Sequence, residues 1–161
     1  METTPRGSRV VLTTFVIALF LTVLPLPDWA QGYRPQWVAL TLIYWCLAAP
    51  QRVGVGWAFA VGLALDVLVG TLLGQHALSL SLVAYLTLEL HQQIRVFPLW
   101  QQSLSVLVLL WVERLLTLWV MGATGQPTPT LWYWVPSLVS MLCWPWVFHA
   151  LRSVRRRFQV A

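Results

Sequence analysis

Lysine is absent from this 161-residue chain, and only five acidic residues stand beside ten arginines. Charged residues make up 9% of the sequence, where a soluble domain averages about 25%. That shortage excludes a surface wetted on all sides. With 58% hydrophobic residues and no long polar stretch, residues 1–161 read as one integral membrane domain. The missing lysine excludes a Schiff base. No HExxH, GxSxG, phosphate-cradling glycine loop or closely spaced carboxylate pair occurs. His76, His91 and His149 are scattered without metal-ligand spacing and read as interface or loop residues. Cys46 and Cys143 form no CxxC pair, which leaves no sign of a disulfide framework or metal site. Both read as small buried hydrophobes. No catalytic residue, cofactor or metal is therefore expected.

What the chain does hold is a series of apolar runs. They cover residues 10–26, 36–49, 53–73, 77–90, 104–121 and 131–151. They predict an all-α fold of six transmembrane helices. A straight crossing takes about 20 residues, so the second and fourth runs read as tilted, broken or re-entrant. The first run mimics a secretory signal. It is long for one, and Asp28 stands where a small residue should precede cleavage, so a retained helix is expected.

The arginines give an orientation. With the N-terminus inside, Arg6, Arg9, Arg52, Arg95, Arg152, Arg155, Arg156 and Arg157 all fall on the cytoplasmic side. Arg34 falls outside and Arg114 falls within a span. This bias matches an even number of crossings with both termini cytoplasmic. Trp29, Tyr33 and Trp37 cluster at the first outer turn, and Trp132, Tyr133 and Trp134 at the last. Such aromatics suit the interfacial belt. "GATGQPTP" (122–129) reads as an exposed outer turn. "ELHQQIRVFPLWQQ" (89–102) reads as a cytoplasmic loop with an interfacial piece anchored by Phe97 and Trp100. The tail arginines Arg152, Arg155, Arg156 and Arg157 read as an anchor on anionic lipid, not as a nucleic-acid site.

Two constellations remain. Small residues recur every fourth position at Gly54, Ala58 and Gly62, then at Gly70 and Gly74, with Asp66 in the row. Residues four apart share a helix ridge. A ridge of small residues admits a close neighbour, either within the chain or as a docking groove for a partner helix. An intramembrane acid costs about 3 kcal/mol at a helix centre and needs a companion. Asp66 is expected to form an ion pair, with Arg114 first and Arg34 the other candidate, or to cap the following turn; His76 is close in sequence, at or past the helix end. A ligand-binding, proton-binding or partner-recognition acid is the other possibility. Glu113 and Arg114 are adjacent, point about 100° apart on a helix, and each should need its own partner. For Glu113 a hydroxyl such as Tyr44 or Tyr85 is expected, or a partner protein.

The stretch from Arg34 to Gln102 carries a resemblance. It has RP at the second run, YW followed by a proline, and RVGV entering the third. "GLALDVLVGTLLGQHAL" and "FPLWQQ" complete the set. Together these resemble the MreD family of rod shape-determining proteins of Gram-negative bacteria. The resemblance implies a multi-pass protein of the cell inner membrane with no known enzymatic activity. It implies membership of the machinery that elongates the side wall. MreC is then the direct partner, and MreB, RodA and a class B penicillin-binding transpeptidase belong to the same assembly. It also implies a six-helix fold similar to the substrate-binding component of energy-coupling-factor transporters. A small-molecule or lipid-binding protein of that type is the alternative, with Asp66, Glu113 and Arg114 lining an outward cavity. Gly62, Asp66, Gly70 and Gly74 are hallmarks of the family without an assigned role.

Overall fold

A computed structural model describes residues 5–25, 27–28, 36–50, 53–70, 73–125 and 134–158. Among them lie six α-helices and no strand. They are α1 (Pro5–Val23), α2 (Trp37–Ala48), α3 (Val55–Val69), α4 (Gln75–Arg95), α5 (Leu99–Ala123) and α6 (Val135–Arg157).

The architecture follows from α2. Its sequence, WVALTLIYWCLA, has no polar face, and every residue from Val38 to Leu47 is buried. A helix apolar all round belongs in the middle of a bundle. Helices α1, α4, α5 and α6 pack around it, while α3 packs mainly on α4. Trp45 is fully enclosed. Its indole N–H donates to Thr14 Oγ1 on α1 at 2.9 Å, so the burial strands no donor. A stacked Phe15–Trp57 pair joins α1 to α3.

Successive helices alternate in direction. Thr22 and Val69, at the ends of α1 and α3, line one cavity with Trp37, His76 and Pro136 from the starts of α2, α4 and α6. Ala48, Arg95 and Arg155, at the ends of α2, α4 and α6, line another with Gln102 from the start of α5. The two cavities therefore sit at opposite ends of α2.

Helix lengths differ from the apolar runs. Of the described helices, α5 alone is long and apolar enough by itself to cross a membrane. α4 is the more extended of the two doubtful runs. Its 21 residues reach about 31 Å at 1.5 Å per residue. α2 has 12 residues and reaches about 18 Å. α3 ends at Val69, short of the run that extends to residue 73.

The stretch 89–102 is helical for most of its length, not a loop. α4 continues through Glu89, His91 and Gln92 to Arg95, and α5 starts at Leu99. Glu, Gln and Arg are good helix formers despite their polarity. Pro98 sets the break, in extended backbone as the N-cap of α5. Phe97 and Trp100 are both exposed there. Cys46 is buried and Cys143 half-buried. Trp134 meets Trp111 edge-on at 6.1 Å. Trp29, Tyr33, Arg34, Arg52, Trp132 and Tyr133 lie outside the described residues, as does the side chain of Arg6.

Candidate functional site

Asp66 sits in the last turn of α3 with its side chain shut off from solvent. Its carboxylate reaches across the hairpin to the start of α4. Oδ2 accepts from the Gly74 N–H at 2.9 Å and the Ala77 N–H at 3.4 Å. Oδ1 accepts from the His76 N–H at 2.9 Å and lies 2.7 Å from His76 Nδ1. The first N–H groups of any helix lack internal partners. Here a carboxylate from the preceding helix supplies them and meets the positive pole of α4. Gly74, the α4 N-cap, has no side chain to do so. Of the two roles expected for Asp66, the cap of the following turn is the one that forms; its ring contact is with His76, not an ion pair with Arg114.

The glycine row divides into three roles. Gly62 is a packing contact within the chain. A Cβ built on it would lie 2.3 Å from Ala77 Cα and 2.6 Å from Ala77 N. α3 and the start of α4 thus touch backbone to backbone. Gly70 and Gly74 flank the turn with φ of 80° and 98°, in the left-handed region where side chains are strained. Gly70 N donates to the Asp66 carbonyl at 2.9 Å and closes α3. Gly54 is the N-cap of α3 and has open space around it. The four-residue spacing runs past the end of the helix, so one continuous ridge does not form.

Glu113 and Arg114 occupy the wall of the cavity beside this hairpin. Its volume is about 280 Å³, and Gln36, Trp37, Leu65, His76, Glu113 and Arg114 contribute to its lining. Asp66 is not among the lining residues; His76 is. Arg114 Nε lies 3.8 Å from Glu113 Oε2, so these neighbours do approach each other. With the Gln36 amide oxygen turned toward it, Arg114 donates to Gln36 from Nε at 2.6 Å and from Nη2 at 2.8 Å. The same oxygen accepts from Ser137 Oγ at 3.3 Å, and Gln36 N donates to Ser140 Oγ at 2.8 Å. Arg114 on α5 is thereby joined to the starts of α2 and α6.

Glu113 takes a hydroxyl, but not from a tyrosine. Thr117 Oγ1 lies 3.3 Å from Glu113 Oε1 and 3.0 Å from Ser79 Oγ. Ser79 Oγ is also bonded to the Gln75 carbonyl at 2.9 Å. Tyr44 is at the other end of α2, among the lining of the second cavity, and Tyr85 is exposed. Thr117, Ser79, Gln75 and Gln36 were not singled out by sequence. The available signal was spacing, since Thr117 lies one helical turn beyond Glu113.

Gln75 is 4% exposed, and its Oε1 has no hydrogen-bond partner among the described residues. An unanswered buried acceptor costs about 1–3 kcal/mol. Gln75→Met keeps the length and removes the acceptor. Its thermal midpoint in detergent should equal or exceed that of the parent protein. A clear fall would show that Oε1 is answered in the detergent-solubilised protein.

The other expected site residues lie apart. Arg152 and Arg155 line the second cavity, while Arg156 and Arg157 are exposed in the last turn of α6. Arg34 lies outside the described residues. Among the described residues, no group of three or more His, Cys, Asp or Glu is placed to hold a metal.

Comparison with known proteins follows the sequence resemblance. No solved structure matches the chain. The chain is similar to a protein of Haemophilus influenzae described as rod shape-determining protein MreD. The two are 37% identical over 153 residues, which is 93% of each chain. The profile of the family described as rod shape-determining protein MreD matches residues 7–154. That span takes in all of α2 to α5, the Asp66 cap and the Glu113–Arg114 wall, and the chain belongs to the MreD family of rod shape-determining proteins.

Proposed function

We propose that this chain is a non-enzymatic scaffold of the cell-wall elongation machinery that maintains rod shape. It crosses the bacterial inner membrane six times with both termini cytoplasmic. It holds MreC directly and supports peptidoglycan synthesis in one assembly with MreB, RodA and a class B penicillin-binding transpeptidase. Membership of the MreD family over residues 7–154 carries the reading. The outer surface supports it. Leu12, Val16, Ile17 and Phe20 on α1 are each more than half exposed, a surface suited to lipid or to a partner's transmembrane helix. The helix directions support the orientation. Arg95, Arg152 and Arg155 meet at one end of the bundle, as the positive-inside rule requires of a cytoplasmic end. The exposed Arg156 and Arg157 at the same helix end suit anionic lipid. Co-expression tests the partnership. Affinity purification of the tagged chain from detergent should recover MreC in fixed proportion. Recovery of the chain alone, with MreC present in the same membranes, overturns the reading.

A second reading rests on the cavity beside the hairpin. Its lining offers a carboxylate, a guanidinium, an imidazole and an indole at about 280 Å³. In this reading the bundle resembles the substrate-binding component of vitamin transporters, and the cavity holds a small molecule or the polar head of a lipid-linked precursor. Native mass spectrometry should then show an adduct that Arg114→Gln abolishes.

A further inference from the structure

The cavity at the far end of α2 is unlike the first. Its volume is about 290 Å³, and its polar lining comes from Tyr44, Arg95, Gln102, Arg152 and Arg155, with Phe148 among the apolar residues. Among the described residues, no carboxylate lines it. Arg95 comes from the last turn of α4, and Arg152 and Arg155 come from one face of α6, three residues apart. Arg155 and Tyr44 line the recess together, and Tyr44 is 2% exposed. Gln102 is held at both ends of its amide. Nε2 donates to the Ile94 carbonyl at 3.2 Å, and Oε1 accepts from Trp144 Nε1 at 3.4 Å. That bridge fixes the end of α4, and with it Arg95, against α5 and α6.

Arginines near helix C-termini often do no more than complement the dipole. The charges here exceed that role. α2, α4 and α6 each bring about half a negative charge to this end, and the start of α5 about half a positive one, against three guanidinium groups around one recess. Like charges three residues apart on a helix repel. An anion in the recess would remove the repulsion, and guanidinium groups fit phosphate oxygens as paired donors. The volume is several times the roughly 30 Å³ that a water molecule occupies, which leaves room for a phosphoryl group and the glycerol beside it.

We propose that this recess is a binding site for one phosphate group, supplied by the head of an anionic phospholipid in the cytoplasmic leaflet. The lipid source rests on the orientation given above; the phosphate chemistry does not. A discrete site also differs from diffuse attraction of the arginine tail to the membrane, because Arg95 belongs to the site and Arg157 does not.

Native mass spectrometry of the full chain in detergent tests this. Titration with phosphatidylglycerol should give a saturable one-to-one adduct that phosphatidylcholine does not give. Arg95→Gln and Arg152→Gln, on two different helices, should each weaken it at least tenfold, about 1.4 kcal/mol. Arg9→Gln, at an exposed arginine outside the recess, should leave it unchanged within about twofold, since one exposed charge contributes little at the salt used. A parallel titration with inorganic phosphate identifies the source. An arginine-dependent adduct with phosphate but not with lipid keeps the site and overturns the lipid source and its dependence on orientation. Equal weakening in all three variants, or no saturable adduct with either probe, overturns the site.

Discussion

Gly62→Ala should lower the thermal midpoint of the detergent-solubilised protein by on the order of 10 °C, equivalent to about 3 kcal/mol. The added methyl meets Ala77 Cα and N, not a flexible side-chain end. Backbone has no rotamer to change, so α3 and α4 must move apart. Their separation would also draw Asp66 away from the α4 amides. Gly56→Ala is the matched comparison. Gly56 is in the same helix, and a Cβ there meets nothing within 4 Å. That change should be neutral or stabilising by up to about 1 kcal/mol, as for alanine replacing glycine in a helix. Opposite signs for the two variants are the expected result. If Gly62→Ala keeps the full midpoint yet loses a partner protein, Gly62 faces outward and the backbone contact is wrong.

Asp66→Ala should be costlier, by about 4 kcal/mol. It leaves the Gly74, His76 and Ala77 amides without their acceptor. Unanswered buried donors cost about 1–3 kcal/mol each before the turn relaxes. Asp66→Asn should cost roughly half as much, since one oxygen survives and an NH₂ group turns toward N–H donors. His76→Ala should cost only about 1 kcal/mol, because it removes the ring contact and leaves every backbone bond in place. Thermal midpoints rank the three variants. Hydrogen exchange at the Gly74, His76 and Ala77 amides locates the effect. A His76→Ala midpoint as low as that of Asp66→Ala would assign the stability to the ring pair and remove the capping role.

These two residues also mark how far the sequence could be read. WVALTLIYWCLA has no polar face, the mark of a central helix, yet its shortness drew the reading toward a tilted, broken or re-entrant segment. The acid among glycines was legible as a residue needing a companion. A cap of the following turn was one of its two expected roles, but the choice between cap and ion pair was not legible, because backbone amides carry no residue signature. Arg114 was the nearest charge by chemistry. It turned instead to Gln36, a neutral side chain at a helix start that no charge rule selects. The glycines misled through their regularity. A spacing of four fits a helical ridge, yet the helix closes at Gly70 and the same spacing passes through a turn. Two glycines serve backbone conformation and one serves packing, and a count of intervals cannot separate these demands. The polar run at 89–102 failed for a related reason. Polarity marks exposure, and exposure is compatible with helix.

The shortness of α2 has a consequence for the barrier the protein presents. Its first three residues face one cavity, and Tyr44, Leu47 and Ala48 face the other. Between Ala39 and Tyr44 about 8 Å of helix remains, against about 30 Å of hydrocarbon in the surrounding bilayer. Along this axis the protein is a thin septum between two recesses of nearly equal size. The recesses share that septum as a common floor, so any axial shift of α2 that deepens one makes the other shallower.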